Sequence, residues 1–270
     1  MVPILVLIVA STAAAQQAPL LILHKGASSL GFYTQEGSHL VSVPVGTHPH
    51  EMVRSADGRY LYTTDNGTMM IEQAGKGGNT VSIVDITTRK KVGEISLGQY
   101  HRPHGIDLDQ KTGLLYVSCE LPDQLVVVDP KLRKVVKTYE TEGKTAHMVK
   151  LGPGARWAYV SHSNSSNVGA VELGAGQVKL IPTGARPEGS ALSPDGKLLY
   201  VVNREAAQIT VIDTGTQSAA GVIPTGKGPV RVQAAPDGAI VYALMHDKAV
   251  GFADPKTRKE VATVALGGIA

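Results

Sequence analysis

One motif returns five times along this chain, and its spacing limits the fold more than any other feature. Ala56-Asp57-Gly58-Arg59-Tyr60-Leu61-Tyr62-Thr63 and Pro194-Asp195-Gly196-Lys197-Leu198-Leu199-Tyr200-Val201 share a turn followed by a tyrosine-bearing apolar run. Looser copies occupy 111–117, 153–160 and 236–243. Units open at Gly46, Gly98, Gly143, Gly184 and Gly226, and another is due at Gly268, so the spacings are 52, 45, 41, 42 and 42 residues. Asp-Gly is a tight-turn signal, and the runs beside it are rich in Val, Ile and Tyr. In the unit opening at Gly184 the pattern predicts strands over 189–193, 198–203, 208–213 and 220–224. Four short strands in each unit of about 42 residues is the spacing of a β-propeller blade. A β-solenoid would have shorter repeats.

Blade counting gives five complete units from Gly46 to Gly268. Before them, 20–24, 30–34 and 40–45 read as the last three strands of a further blade. The expectation is therefore an all-β propeller of five complete blades plus a partial N-terminal one, with six or seven in the complete protein. The segment reaches Ala270 where a closing strand is due, so the C-terminus reads as truncated before ring closure.

Tyr200-Val201-Val202-Asn203, Thr210-Val211-Ile212-Asp213 and Ile223-Pro224-Thr225-Gly226 closely resemble the YVTN-type repeat of bacterial β-propellers. The resemblance spans Leu20 to Gly268. It implies a radial array of blades around a central channel, and it leaves function open. A more distant resemblance links the chain to the propellers of nitrous oxide reductase and of quinoprotein amine dehydrogenases. The former implies copper held by histidines at a channel mouth, but no cupredoxin-like segment accompanies the repeats here.

The N-terminus differs from the repeats. Val2 to Ala10 form an apolar run, followed by Ser11, Thr12 and Ala13-Ala14-Ala15. This reads as a secretory signal over 1–15, cleaved before Gln16, leaving a propeller domain over 16–270. The expected location is periplasmic or extracellular, with no membrane span after cleavage. No Lys or Arg precedes the run, which departs from the usual signal pattern. Cys119 is the single cysteine, so no intrachain disulfide forms. A net charge of +3 with mixed signs argues against nucleic acid as a partner.

The register of the repeat selects candidate site residues. Twelve positions before the tyrosines Tyr62, Tyr116, Tyr159, Tyr200 and Tyr242 stand His50, His104, His147, Glu188 and Val230. Three positions after them stand Asp65, Cys119, His162, Asn203 and Met245, with His246 next. His24 holds the matching place in the partial blade. Blade topology brings the start of strand one and the end of strand two to the same channel mouth. Imidazole, carboxylate and thiolate are ligands of copper, zinc or iron, which nominates His50, His104, His147 and Glu188 as a metal set. His24, Asp65, Cys119, His162, Asn203 and His246 form the expected surrounding ligand ring. Residues 67–78 are long, Gly-rich and placed to cover this mouth, with Met69 or Met70 offering sulfur.

Two other classes compete. One is a non-catalytic scaffold with a structural channel and a docked protein. The other is a metal-dependent lactonase- or lyase-like enzyme. No Gly-x-Ser-x-Gly elbow, phosphate loop or paired-cysteine zinc pattern is present.

Overall fold

A computed structural model describes residues 20–267. The expected signal segment and the cleavage position lie outside the described residues. Among the described residues, twenty-three strands form six antiparallel sheets in a ring, which makes the chain a β-propeller. The first blade has three strands, β1 (Leu20–His24), β2 (Ser29–Tyr33) and β3 (His39–Pro44). Each later blade has four, from β4 (Pro49–Arg54) innermost to β7 (Lys90–Ser96) outermost in the second. The inner strands of the next four are β8 (His101–Leu108), β12 (Ala146–Leu151), β16 (Pro187–Leu192) and β20 (Pro229–Ala234). β23 (Lys259–Ala265) ends the sixth. The strands expected of the unit opening at Gly184 are all present, at Pro187–Leu192, Leu198–Asn203, Gln208–Asp213 and Ser218–Pro224. β1 to β3 fill the places of the second, third and fourth strands elsewhere.

Five apolar clusters hold the blades together, one at each interface between successive blades. Both faces of a middle strand are therefore buried, as in Ile209, Thr210, Val211 and Ile212. This explains why the middle strands read as continuous apolar runs instead of alternating ones. Tyr116, Tyr159 and Tyr200 lie in these clusters and pack neighbouring blades together.

Each inner strand begins with the same irregularity. The pairing slips between Pro49 and Met52, Pro103 and Ile106, Ala146 and Met148, Pro187 and Ser190, and Pro229 and Arg231. These β-bulges hold His50, His104, His147, Glu188 and Val230. Two residues earlier the backbone is left-handed, at His48 (φ 43°), Arg102 (51°), Thr145 (61°), Arg186 (59°) and Gly228 (70°). The left-handed residue turns the crossing chain into the blade, and the bulge re-aims the next side chain toward the axis.

Inner strands approach closely where glycine follows the bulged residue. A Cβ on Gly105 would sit 2.5 Å from the Val149 nitrogen, and one on Gly189 2.9 Å from the Val230 carbonyl oxygen. Both neighbours are backbone of the next blade and cannot rotate away. Gly105→Ala is expected to destabilise the protein by about 1–3 kcal/mol through overpacking. Gly26→Ala, where nothing lies within 4 Å, is the control and should be near neutral. Urea unfolding of both variants measures the difference.

Candidate functional site

The bulges bring three imidazoles into one row, His50 edge-on to His104 and His104 tilted against His147. The His50 and His104 ring centroids are 4.3 Å apart and those of His104 and His147 are 3.6 Å apart. His147 is clamped between two buried carboxylates: Nδ1 lies 2.8 Å from Glu120 Oε1 and Nε2 lies 2.9 Å from Glu188 Oε2. Burial disfavours its charge, but Glu188 and Glu120 outweigh that and raise its pKa to about 9. Burial alone would raise Glu188, yet His147 and the nearby arginines pull it down to about 2. His50 moves the other way, to about 3, through burial and then the Lys25 charge. His104 is also pushed well below the usual histidine range, by burial first and then by His147. One imidazolium and two neutral imidazoles therefore share the mouth near neutral pH.

The neutral pair differs in its free atoms. His50 Nε2 donates to the Thr68 carbonyl at 2.8 Å, so its Nδ1 is left as acceptor. His104 Nδ1 is buried without a partner. Donor atoms of His104, Glu120 and His147 lie within 4.8 Å of one another, all three residues being buried. His50 and Glu188 stand outside that group. His50 has one nitrogen occupied by Thr68. Glu188 sits on the opposite ring nitrogen of His147 from Glu120, and two diverging lone pairs cannot meet at one ion.

The expected surrounding ring is not assembled. Asp65 accepts hydrogen bonds from Thr80 and Ser82, both at 2.8 Å, and from the Gly46 amide at 3.1 Å. His162 Nδ1 pairs with Asn167 at 2.7 Å, and Asn203 Nδ2 donates to Thr210 at 2.8 Å. Cys119 is buried in an apolar cluster, and burial pushes its thiol pKa up. His24 bonds Ser29 and Tyr33 within its own blade, and His246 is exposed. The physical reason is strand alternation, because a shift of one residue turns a side chain to the other face. Of the residues one step further on, Lys25, Glu120 and Arg204 reach the mouth, whereas Asn66 bonds Thr68 and Ser163 donates to the Pro187 carbonyl. Counting four positions rather than three past the tyrosine would have found Glu120 and Arg204. The three-position side chains lie within the blades, where Asp65 and His162 occupy the space a Cβ on Gly46 or Gly143 would need, and Gln208, Ala206 and Asn203 crowd the same place at Gly184. That is why those units open on glycine. Met245 is the three-position residue that does reach the mouth.

Residues 67–78 cover the mouth as their length predicted. Met69, Met70 and Ile71 join His50, His104 and His147 around a cavity of about 380 Å³. Arg102 is buried and donates to the carbonyls of Ile71 (3.1 Å), Gly75 (2.8 Å) and Gln73. Arg186 pairs with Glu72. The flap is thus held from the third and fifth blades.

Comparison with family models and with curated proteins gives no match. Solved structures do match, and they are β-propellers. Virginiamycin B lyase from Staphylococcus aureus superposes with a TM-score of 0.74 at 15% identity, over 92% of this chain and 81% of that one. A streptogramin B lyase gives 0.77 at 16%, over 93% and 80%. The dihydro-heme d1 dehydrogenase NirN gives 0.67 at 15%, over 93% of this chain and 55% of that one. At such identities the likeness is one of fold. No helix among the described residues is long and apolar enough to cross a membrane.

Two outcomes are expected. His50 and His104 stay neutral in the folded state but titrate near 6.5 when unfolded, so protons favour the unfolded chain below that pH. His147 and Glu188 act otherwise: the raised imidazole contributes fully below about pH 6.5 and loses its contribution as pH passes 9. Glu188 contributes above the ordinary carboxylate range. Stability should therefore fall from pH 7 to pH 5, and His50→Asn should flatten the fall; urea titrations across that range measure it. Separately, Arg102→Met should raise amide exchange at 67–78 by at least about tenfold while the blade strands keep their protection, as read by hydrogen exchange.

Proposed function

We propose that this chain is an exported β-propeller whose channel mouth binds one divalent transition metal together with a small ligand, His104, His147 and Glu120 being the metal donors. The observation that carries the reading is the convergence of those three donor sets within 4.8 Å, beside the unpartnered Nδ1 of His104. A tetrahedral ion with bonds of about 2.1 Å holds its donors about 3.4 Å apart, which this spacing accommodates. Two imidazoles and one carboxylate suit zinc, copper or iron better than a hard cation, which prefers an all-oxygen shell. Loading displaces the proton that His147 shares with Glu120. Glu188 remains on the other nitrogen, the carboxylate–histidine arrangement that orients a metal-bound imidazole.

Three donors leave a coordination position for a ligand, and His50 lines the same cavity with Nδ1 available to accept a hydrogen bond from that ligand. Two structural neighbours are named as lyases, and a lyase assay on small molecules is a reasonable screen on that ground. The export part rests on Val2 to Ala10 and Ala13-Ala14-Ala15. N-terminal sequencing of protein recovered outside the cytoplasm should begin at Gln16. Protein found intact from Met1 in the cytosol would count against export.

Elemental mass spectrometry of the purified protein after reconstitution is expected to show about one equivalent of zinc, copper or iron per chain. His104→Ala and Glu120→Gln should each lower affinity by at least about tenfold, whereas His162→Asn should not change it. A wild-type protein that takes up no metal would reject the metal reading. The neutral His50 and His104 would then support a metal-free small-ligand site, with a protein-docking scaffold as the remaining reading.

A further inference from the structure

The mouth is divided into two halves by chain order. The second, third and fourth blades contribute His50, His104 and His147. The fifth, sixth and first contribute Arg204, Arg231 and Lys25 to the same cavity. The cations are only partly neutralised. Arg204 Nη1 lies 3.3 Å from Glu188, and its Nε is buried with no partner. Arg231 pairs with Glu51 and stands 4.0 Å from Glu188. Lys25 is half-buried and has no acidic partner within 4 Å among the described residues. Glu188 is already shared by His147, Arg186, Arg204 and Arg231, so it cannot neutralise all of them.

Between these halves the cavity wall is apolar. Met69, Met70 and Ile71 line it from the flap, and Val230 and Met245 from the sixth blade. Val230 stands in the bulge where other blades place His or Glu. The sixth blade thus leaves hydrocarbon beside the charges, and the bulk of a molecule can rest there.

We infer that the mouth recognises an organic carboxylate, whose anionic group docks on Lys25, Arg204 and Arg231 while its apolar body lies under Met69, Met70 and Met245. A guanidinium and an ammonium facing one cavity form charge-assisted hydrogen bonds to a carboxylate that a neutral isostere cannot replace. The apolar wall adds affinity for a carbon skeleton that inorganic phosphate lacks. The opposite end of such a ligand then reaches the imidazoles. This inference rests on the small-ligand part of the proposed function and not on the metal.

The test is calorimetric titration of the full chain, metal-free and zinc-loaded, with benzoate, benzamide and inorganic phosphate as probes. Benzoate should bind at least about tenfold tighter than benzamide and than phosphate. Lys25→Met should weaken benzoate by at least about tenfold, and Lys25→Arg should restore most of the loss. Arg204→Met provides a second variant with the same expected direction. Zinc uptake by Lys25→Met should match the wild type, which keeps a folding defect apart from a binding defect. Equal binding of benzoate and benzamide, unchanged benzoate affinity in Lys25→Met, phosphate as tight as benzoate, or no benzoate binding in either metal state would each overturn the inference. Benzoate binding without any zinc uptake would remove the metal reading and leave this one standing.

Discussion

The bulge at the start of each inner strand is the constraint from which the site follows. A regular strand would alternate its side chains between the two blade interfaces and present none of them to the axis. With one residue doubled against its partner strand, His50, His104, His147 and Glu188 leave that alternation and point along the channel. The left-handed residue before each bulge and the glycine after His104 and Glu188 let the neighbouring crossings come close. The backbone thus brings His104 and His147 together, and the Glu120 and Glu188 contacts orient the His147 ring, leaving the two rings 3.6 Å apart.

Electrostatics then separates three chemically identical side chains. Only His147 has a carboxylate on each nitrogen, so it carries the charge, and that charge together with burial keeps His104 neutral. A buried ion group of this kind is weak evidence for stability, because desolvation offsets much of the Coulombic gain. Its value lies in holding adjacent imidazoles in different protonation states at one pH. The cations on the far side of the mouth act in the same sense on His50, where Lys25 follows burial as the second cause.

Much of this was legible in the sequence. The period, the turns and the tyrosines named the fold, because local turn chemistry and blade packing both repeat with the unit. The position twelve before each tyrosine found His50, His104, His147 and Glu188 because the bulge recurs in every complete blade. The position three after it failed for the opposite reason: strand pairing there is regular, so a one-residue error in register exchanges Glu120 for Cys119 and Arg204 for Asn203. The grouping of His104 and His147 with Glu120 was not legible. Which carboxylate sits on which nitrogen of His147 depends on side-chain packing across the third, fourth and fifth blades, and no local pattern records that.

The hold on the flap separates two properties that loops usually combine. Arg102 grips carbonyl oxygens of residues 71, 73 and 75, groups that every amino acid supplies. Met69 and Met70, which meet the cavity, take no part in that grip. Side chains facing the cavity can therefore be exchanged without loosening the cover. Relatives that keep the arginine and the loop length would be free to change what they bind while still closing over it, and the same freedom makes this stretch the natural place to redesign selectivity.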